Sequence, residues 1–201
     1  MERRKKHNKR GSALTLVGAL IVLIGLVVAI ILWPVEGSAK SPATSLVQDD
    51  LVSTTLIHAG DVAPDFSVEM LDGSTVTLSE LQGKPVLLIF WATWCPPCRE
   101  ELSHLQEGVI DRYGDSITVL PISRGEQRTT VENFINKMGY TFAVGLDGDQ
   151  SIYRMYASNY IPRCFVINAE GVVEYAGVGY DEEIAAQVRQ ALEALPTVDI
   201  N

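Results

Sequence analysis

The chain has 201 residues, 47% of them apolar, three cysteines and a formal net charge of −9. That is enough for one ordinary domain with an appendage and too little for two independent cores. The first ten residues, MERRKKHNKR, contribute +5 and leave −14 on the remainder, an acidic body that argues against nucleic acid as a partner, where a basic face is required.

Residues 1–12 read as a basic cytoplasmic tail. Ala13–Trp33 follows, twenty-one residues without a charge, long enough to cross the roughly 30 Å hydrocarbon core as a helix. Positive charge placed directly before a first span holds that end in the cytoplasm. The expectation is therefore a single-pass anchor in contact with membrane lipid, with everything after Trp33 extracytoplasmic. A cleaved signal peptide ending near Gly37-Ser38-Ala39 is the alternative, and it leads to the same compartment. Residues 34–59, rich in Gly, Ser, Ala, Pro and Thr at their start, read as a flexible linker in which Leu51–His58 is a lead-in. A folded domain is expected over 60–196, and 197–201 as a short tail.

Within that domain, Phe66–Leu71 and Ser74–Leu78 flank Asp72-Gly73, a two-residue hairpin signal. Ser79-x-x-Gln82 predicts a short capped turn. Pro85–Phe90 is an unbroken apolar run of the kind a strand buried on both faces requires. A helix is expected after Cys98 and a second apolar strand over Ile117–Ile122. Thr129-x-x-Glu132 has the spacing of a capping box, with Val131, Phe134, Ile135 and Met138 at helical intervals and Gly139 as a stop. Phe142–Leu146 and Asp149–Tyr156 read as a short strand and a helix. Phe165–Asn168 and Val172–Tyr175 form a second hairpin. A final helix starts at Asp181, buries Ile184, Val188, Leu192 and Leu195, and stops at Pro196. The predicted architecture is α/β, a mixed central sheet with helices on both faces and an extra N-terminal β-hairpin, preceded by one transmembrane helix.

Cys95 and Cys98 form a C-x-x-C pair and Cys164 stands alone, one reactive pair and not a disulfide framework. Cys95 falls where a buried strand meets a helix. Unpaired N–H groups at a helix N-terminus favour negative charge there and lower the thiol pKa. Pro96 and Pro97 suit the first turn, where no N–H is needed. Cys98, three residues on, lies on the same side of the helix, within reach of a disulfide. Cys95 is thus the expected exposed attacking thiol, and Cys98 the more buried one that resolves the mixed disulfide. Zinc would need further Cys or His ligands, and His104 is turned away from Cys98. No metal and no other cofactor is expected beyond the redox-active disulfide.

The segment Trp91-Ala-Thr-Trp94-Cys95-Pro-Pro-Cys98 resembles the active site of the thioredoxin superfamily. Ala63-Pro64-Asp65-Phe66 and Leu71-Asp72-Gly73 make it similar to the TlpA/ResA-like group of membrane-anchored thiol–disulfide oxidoreductases, over about residues 60–196. The resemblance implies that Ile161-Pro162 is the cis-proline of the fold and docks an extended substrate. It implies that Trp94 lies beside the dithiol, so that Trp94, Pro96, Pro97, Ile161 and Pro162 form the substrate-binding surface. It also implies that Glu101 moves a proton to or from Cys98; from the run Arg99-Glu100-Glu101 alone, a surface charge is an equal reading.

Two departures stand out. Ile89 occupies the place of a buried Asp found in cytoplasmic thioredoxins, and Arg163-Cys164 follows the proline where a small hydroxyl residue is common. Arg163 reads either as favouring a thiolate or anionic substrate or as a surface arginine, and Cys164 either as a buried small hydrophobe or as a regulatory or resolving thiol. The group's members imply reduction of extracytoplasmic protein disulfides, such as apocytochrome c cysteines in cytochrome c maturation, with electrons from a membrane electron-transfer partner. An oxidant that forms disulfides and a non-catalytic binding module are the alternatives. A thiol peroxidase would require Pro at 88 and Thr or Ser at 92, which here are Leu88 and Ala92.

Overall fold

The computed structural model describes residues 53–196. The basic tail, the apolar run 13–33, most of the linker and the tail 197–201 lie outside the described residues. Among the described residues no helix is long and apolar enough to cross a membrane.

Seven strands form one mixed sheet: β1 (Ser67–Met70), β2 (Thr75–Thr77), β3 (Val86–Trp91), β4 (Thr118–Arg124), β5 (Gly145–Asp147), β6 (Arg163–Ile167) and β7 (Val173–Val178). Their spatial order is β2-β1-β5-β4-β3-β6-β7. β3, β4 and β5 are parallel, and every other neighbouring pair is antiparallel. The helices are α1 (Pro96–Leu105), α2 (Arg128–Met138), α3 (Tyr153–Tyr156) and α4 (Glu182–Glu193). α1 and α2 are the crossovers that parallel neighbours require.

The apolar run from residue 85 becomes β3, buried along its whole length. Side chains alternate across a strand, so β3 feeds two cores. Val86, Leu88 and Phe90 pack with Phe66, Tyr153, Tyr156 and Phe165, whereas Leu87, Ile89 and Trp91 pack with Leu102 and Leu105 of α1, Val131 of α2 and Val188 of α4. Helices do lie on both faces, but unequally. The first core is covered by the single turn of α3, by the 3-10 turn Leu78–Leu81 and by Ile57 from the lead-in.

The N-terminal hairpin forms as expected, with Asp72 Oδ1 accepting from the Ser74 N–H at 2.8 Å and Gly73 at φ 87°. Two predicted caps are replaced. The 3-10 turn is capped by Asp65, whose Oδ1 and Oδ2 accept from the Ser79 N–H and Oγ at 2.9 and 2.8 Å. α2 starts at Arg128 after Gln127 with no side-chain cap, so Thr129-x-x-Glu132 lies inside the helix and forms no capping box. Asp181 does cap α4, accepting from the Ile184 N–H at 2.8 Å. The helix expected over Asp149–Tyr156 shrinks to α3, because Asp147 accepts from the N–H groups of Ile152 and Tyr153 at 3.2 and 2.8 Å and sets its start there.

The folded part also begins earlier than Gly60. Residues 53–59, included in the linker with Leu51–His58 read as its lead-in, pair with the loop after α3. Thr55 bridges to Ala157, the Leu56 N–H donates to the Tyr156 carbonyl at 3.0 Å, and the Ser158 N–H to the Thr54 carbonyl at 2.9 Å. A β-branched pair, Thr54-Thr55, suits such an edge pairing.

Candidate active site

β3 ends at Trp91, and the chain turns through Ala92-Thr93-Trp94 into α1. Cys95 is the N-cap, in extended conformation, and Pro96 and Pro97 open the helix. The Cys98 N–H points at Cys95 Sγ, 3.3 Å away. The two sulfurs form a disulfide of 2.05 Å with Cα atoms 5.3 Å apart. In this oxidised state Cys95 is not the exposed sulfur expected from its position. It is 4% exposed and Cys98 is 0%, and the loop that carries Ile161 covers Cys95. The Ile161 carbonyl oxygen lies 3.7 Å from Cys95 Sγ, and the Ile161-Pro162 bond is cis. Trp94 stands out from this surface at 65% exposure, so it is not core packing. Pro96 is exposed, Pro97 and Ile161 half-buried, and Pro162 buried.

Glu101 lies one turn beyond Cys98 on the buried side of α1. It is no surface charge: its Oε2 is buried and has no hydrogen-bond partner, and burial pushes its carboxyl up to about 8. It lines a cavity of ≈ 50 Å³ with His104, Tyr180, Ile89 and apolar side chains of α1 and α4.

Two side chains, one that the sequence did not mark and one whose role it left open, hold the backbone on either side of the disulfide. Glu126, in the loop after β4, accepts from the Thr93 N–H at 2.8 Å and from Thr93 Oγ1 at 2.6 Å, and also from Ser123 Oγ at 2.9 Å. β4 runs parallel to β3, so the loops after both strands meet at one end of the sheet. Gly125-Glu126 at the close of an apolar strand was the available signal. On the other side, Arg163 is 0% exposed, which corrects the surface reading. It donates to the carbonyls of Asn159 and Tyr160 and to the hydroxyls of Thr54 and Thr55, and so faces the lead-in and its own loop.

Cys164 is a free thiol, 1% exposed, paired in the sheet with Ile89 and Gly177. A Cβ built on Gly177 would sit 2.8 Å from its sulfur. Burial raises the thiol well above its ordinary value, and the Glu101 carboxylate adds to the effect when charged. It is a small side chain buried in the same core as the dithiol. Among the described residues no three His, Cys, Asp or Glu side chains gather as metal ligands.

A C-x-x-C disulfide at the N-terminus of the helix that follows a buried central strand, faced by a cis-proline loop, defines a thioredoxin-like thiol–disulfide oxidoreductase. Residues 59–176 match the AhpC/TSA family. The chain belongs to that family and, within it, to the TlpA/ResA-like group. It is 35% identical over 117 residues to the thiol-disulfide oxidoreductase ResA of Bacillus subtilis, a match covering 58% of this chain and 65% of that protein, just under two thirds. It is 30% identical over 174 residues to ResA of Oceanobacillus iheyensis, covering 85% and 83%. The crystal structure of StoA from Bacillus subtilis superposes with a TM-score of 0.56 at 28% identity, over 65% of this chain and 98% of that one.

Proposed function

We propose that this chain is a membrane-anchored, extracytoplasmic reductant of protein disulfides, of which the haem-binding cysteines of apocytochrome c are the expected example. The observation that carries the reading is the pairing of a helix-capping sulfur with an unpartnered buried acid one turn further on. The basic tail and the apolar run 13–33 support the anchor and the compartment.

In the reduced state the N–H of Cys98 and the helix N-terminus favour a thiolate on Cys95. That thiolate attacks a substrate sulfur held against Ile161 and Pro162 and flanked by Trp94, Pro96 and Pro97. One substrate thiolate leaves and a mixed disulfide forms. Cys98 must then lose its proton before it attacks Cys95 and releases the second substrate sulfur as a thiolate. Burial pushes the Glu101 carboxyl up to about 8, out of the ordinary carboxylate range and toward that of thiols, and a narrowed gap between donor and acceptor eases transfer in either direction. Glu101 in its ionised form, a fraction that grows as pH approaches 8, therefore takes the proton during substrate reduction. It returns the proton to Cys98 when two electrons from a membrane electron-transfer partner open the disulfide again.

The deciding measurement is the reduction potential of the Cys95–Cys98 couple, by equilibration of the full chain with dithiothreitol or glutathione buffers. A value near about −270 mV is expected for a reductant, and one near about −120 mV would overturn the direction in favour of disulfide formation. A deletion strain with normal haem attachment would remove apocytochrome c as the substrate.

A further inference from the structure

Arg163 opens β6 directly after Pro162 and is fully buried, at 0% exposure, although a guanidinium stays charged at any working pH. Among the described residues its donors go to two segments. Nε and Nη2 donate to the Asn159 carbonyl at 3.2 and 2.7 Å, and Nε also reaches the Tyr160 carbonyl at 3.4 Å. Nη1 donates to Thr55 Oγ1 and Nη2 to Thr54 Oγ1. The first segment carries the Ile161 carbonyl, 3.7 Å from Cys95 Sγ. The second is the lead-in, which is separated from Arg163 by 108 and 109 residues of sequence at these two contacts.

The loop needs such support. Tyr160 has φ 66°, a left-handed conformation that a bulky side chain keeps only where its surroundings hold it. Tyr153 Oη donates to the same Tyr160 carbonyl at 2.7 Å. Asn159 and Tyr160 are exposed, so this backbone is open to a polypeptide that brings a sulfur toward Cys95.

We propose that Arg163 is a positioning residue that makes the segment Ser53–His58 part of the active site. Through it, the Thr54 and Thr55 hydroxyls fix the Asn159–Pro162 backbone over which a polypeptide substrate docks. The proposal rests on the thiol–disulfide exchange reading and is independent of the direction of electron flow. A docking strand held in advance lowers the ordering cost of binding an extended chain and keeps the attacking geometry in line. A small disulfide reaches the sulfur without crossing that strand, so the device selects for polypeptides.

The test uses the full-length chain carrying Cys98→Ser, so that Cys95 reacts without a resolving partner. Two probes are compared, the thionitrobenzoate mixed disulfides of a short extended peptide and of cysteamine. In each, the Cys95 thiolate forms a new disulfide with the probe sulfur, and thionitrobenzoate, the better leaving group, departs as a coloured thiolate. Adding Thr54→Val and Thr55→Val removes both hydroxyls while Arg163 stays. This variant is expected to slow the peptide reaction about tenfold and to leave the cysteamine reaction within about twofold. Arg163→Lys should recover part of the peptide preference that Arg163→Met loses. An unchanged ratio of the two rates in the double threonine variant, or equal slowing of both, would overturn the coupling. A parent protein that reacts equally fast with both probes would overturn docking on this loop itself.

Discussion

Two glutamates stand behind the disulfide, and they are used in opposite ways. Glu126 is half-buried and saturated: both carboxylate oxygens accept hydrogen bonds, from Thr93 twice and from Ser123. Glu101 is buried with an oxygen that nothing donates to, and its carboxyl is pushed up to about 8 by loss of water. The same functional group holds a loop in one place and carries a proton in the other. The environment decides, because donors stabilise the charge while burial without donors opposes it.

Replacing each acid by its amide should separate the two uses, and the largest effect is expected at Glu101. Below about pH 4.5 the carboxyl is protonated whether the chain is folded or unfolded, and above about pH 8 it is charged in both states. Between those values the unfolded chain gives up a proton that the folded chain keeps, so this group makes stability fall as pH rises. Glu101→Gln should flatten that fall in urea unfolding followed from pH 4.5 to 9, and should leave the variant the more stable protein at the alkaline end. Parallel curves for the two proteins would refute a neutral buried acid.

At Glu126 the expected change comes from lost hydrogen bonds. Glu126→Gln weakens all three at once, and should lower unfolding free energy by about 2 kcal/mol. It should also slow attack by Cys95 severalfold as the Thr93–Trp94 turn loosens. A variant with unchanged stability and unchanged rate would show that the turn stands without its clamp. The smallest effect belongs to Thr93→Val, which removes one hydroxyl donor and keeps the N–H. A loss of about 1 kcal/mol is expected from the same unfolding curves, and a loss equal to that of Glu126→Gln would mean that the hydroxyl alone does the holding.

The parts of this molecule legible in its sequence are those written in consecutive residues. The β3 run, the Asp72-Gly73 hairpin, the strand-to-helix placement of Cys95 and the Asp181 cap each follow from a local pattern. The family resemblance pointed to Glu101 and Pro162, but the burial that separates Glu101 from a surface acid arises from α4 and β3 packing over it. Glu126 and Arg163 were missed, or misread, for one reason. Their partners are supplied by the order of strands and by a segment taken for linker, 33 residues away in one case and 109 in the other. The composition of 53–59 is polar enough to resemble tether, yet its value lies in backbone pairing and two hydroxyls, which composition does not record.

Three thiols in one chain can pair in three ways, and two of those would disable the couple. The glycine opposite Cys164 bears on this directly. With Gly177 and Tyr175 closed around it, the third sulfur has neither a path for an incoming thiolate nor room for an adduct such as glutathione. Sorting of the pairs is thus built into the strand register, and the chain needs no isomerase to keep Cys95 and Cys98 together once it has folded.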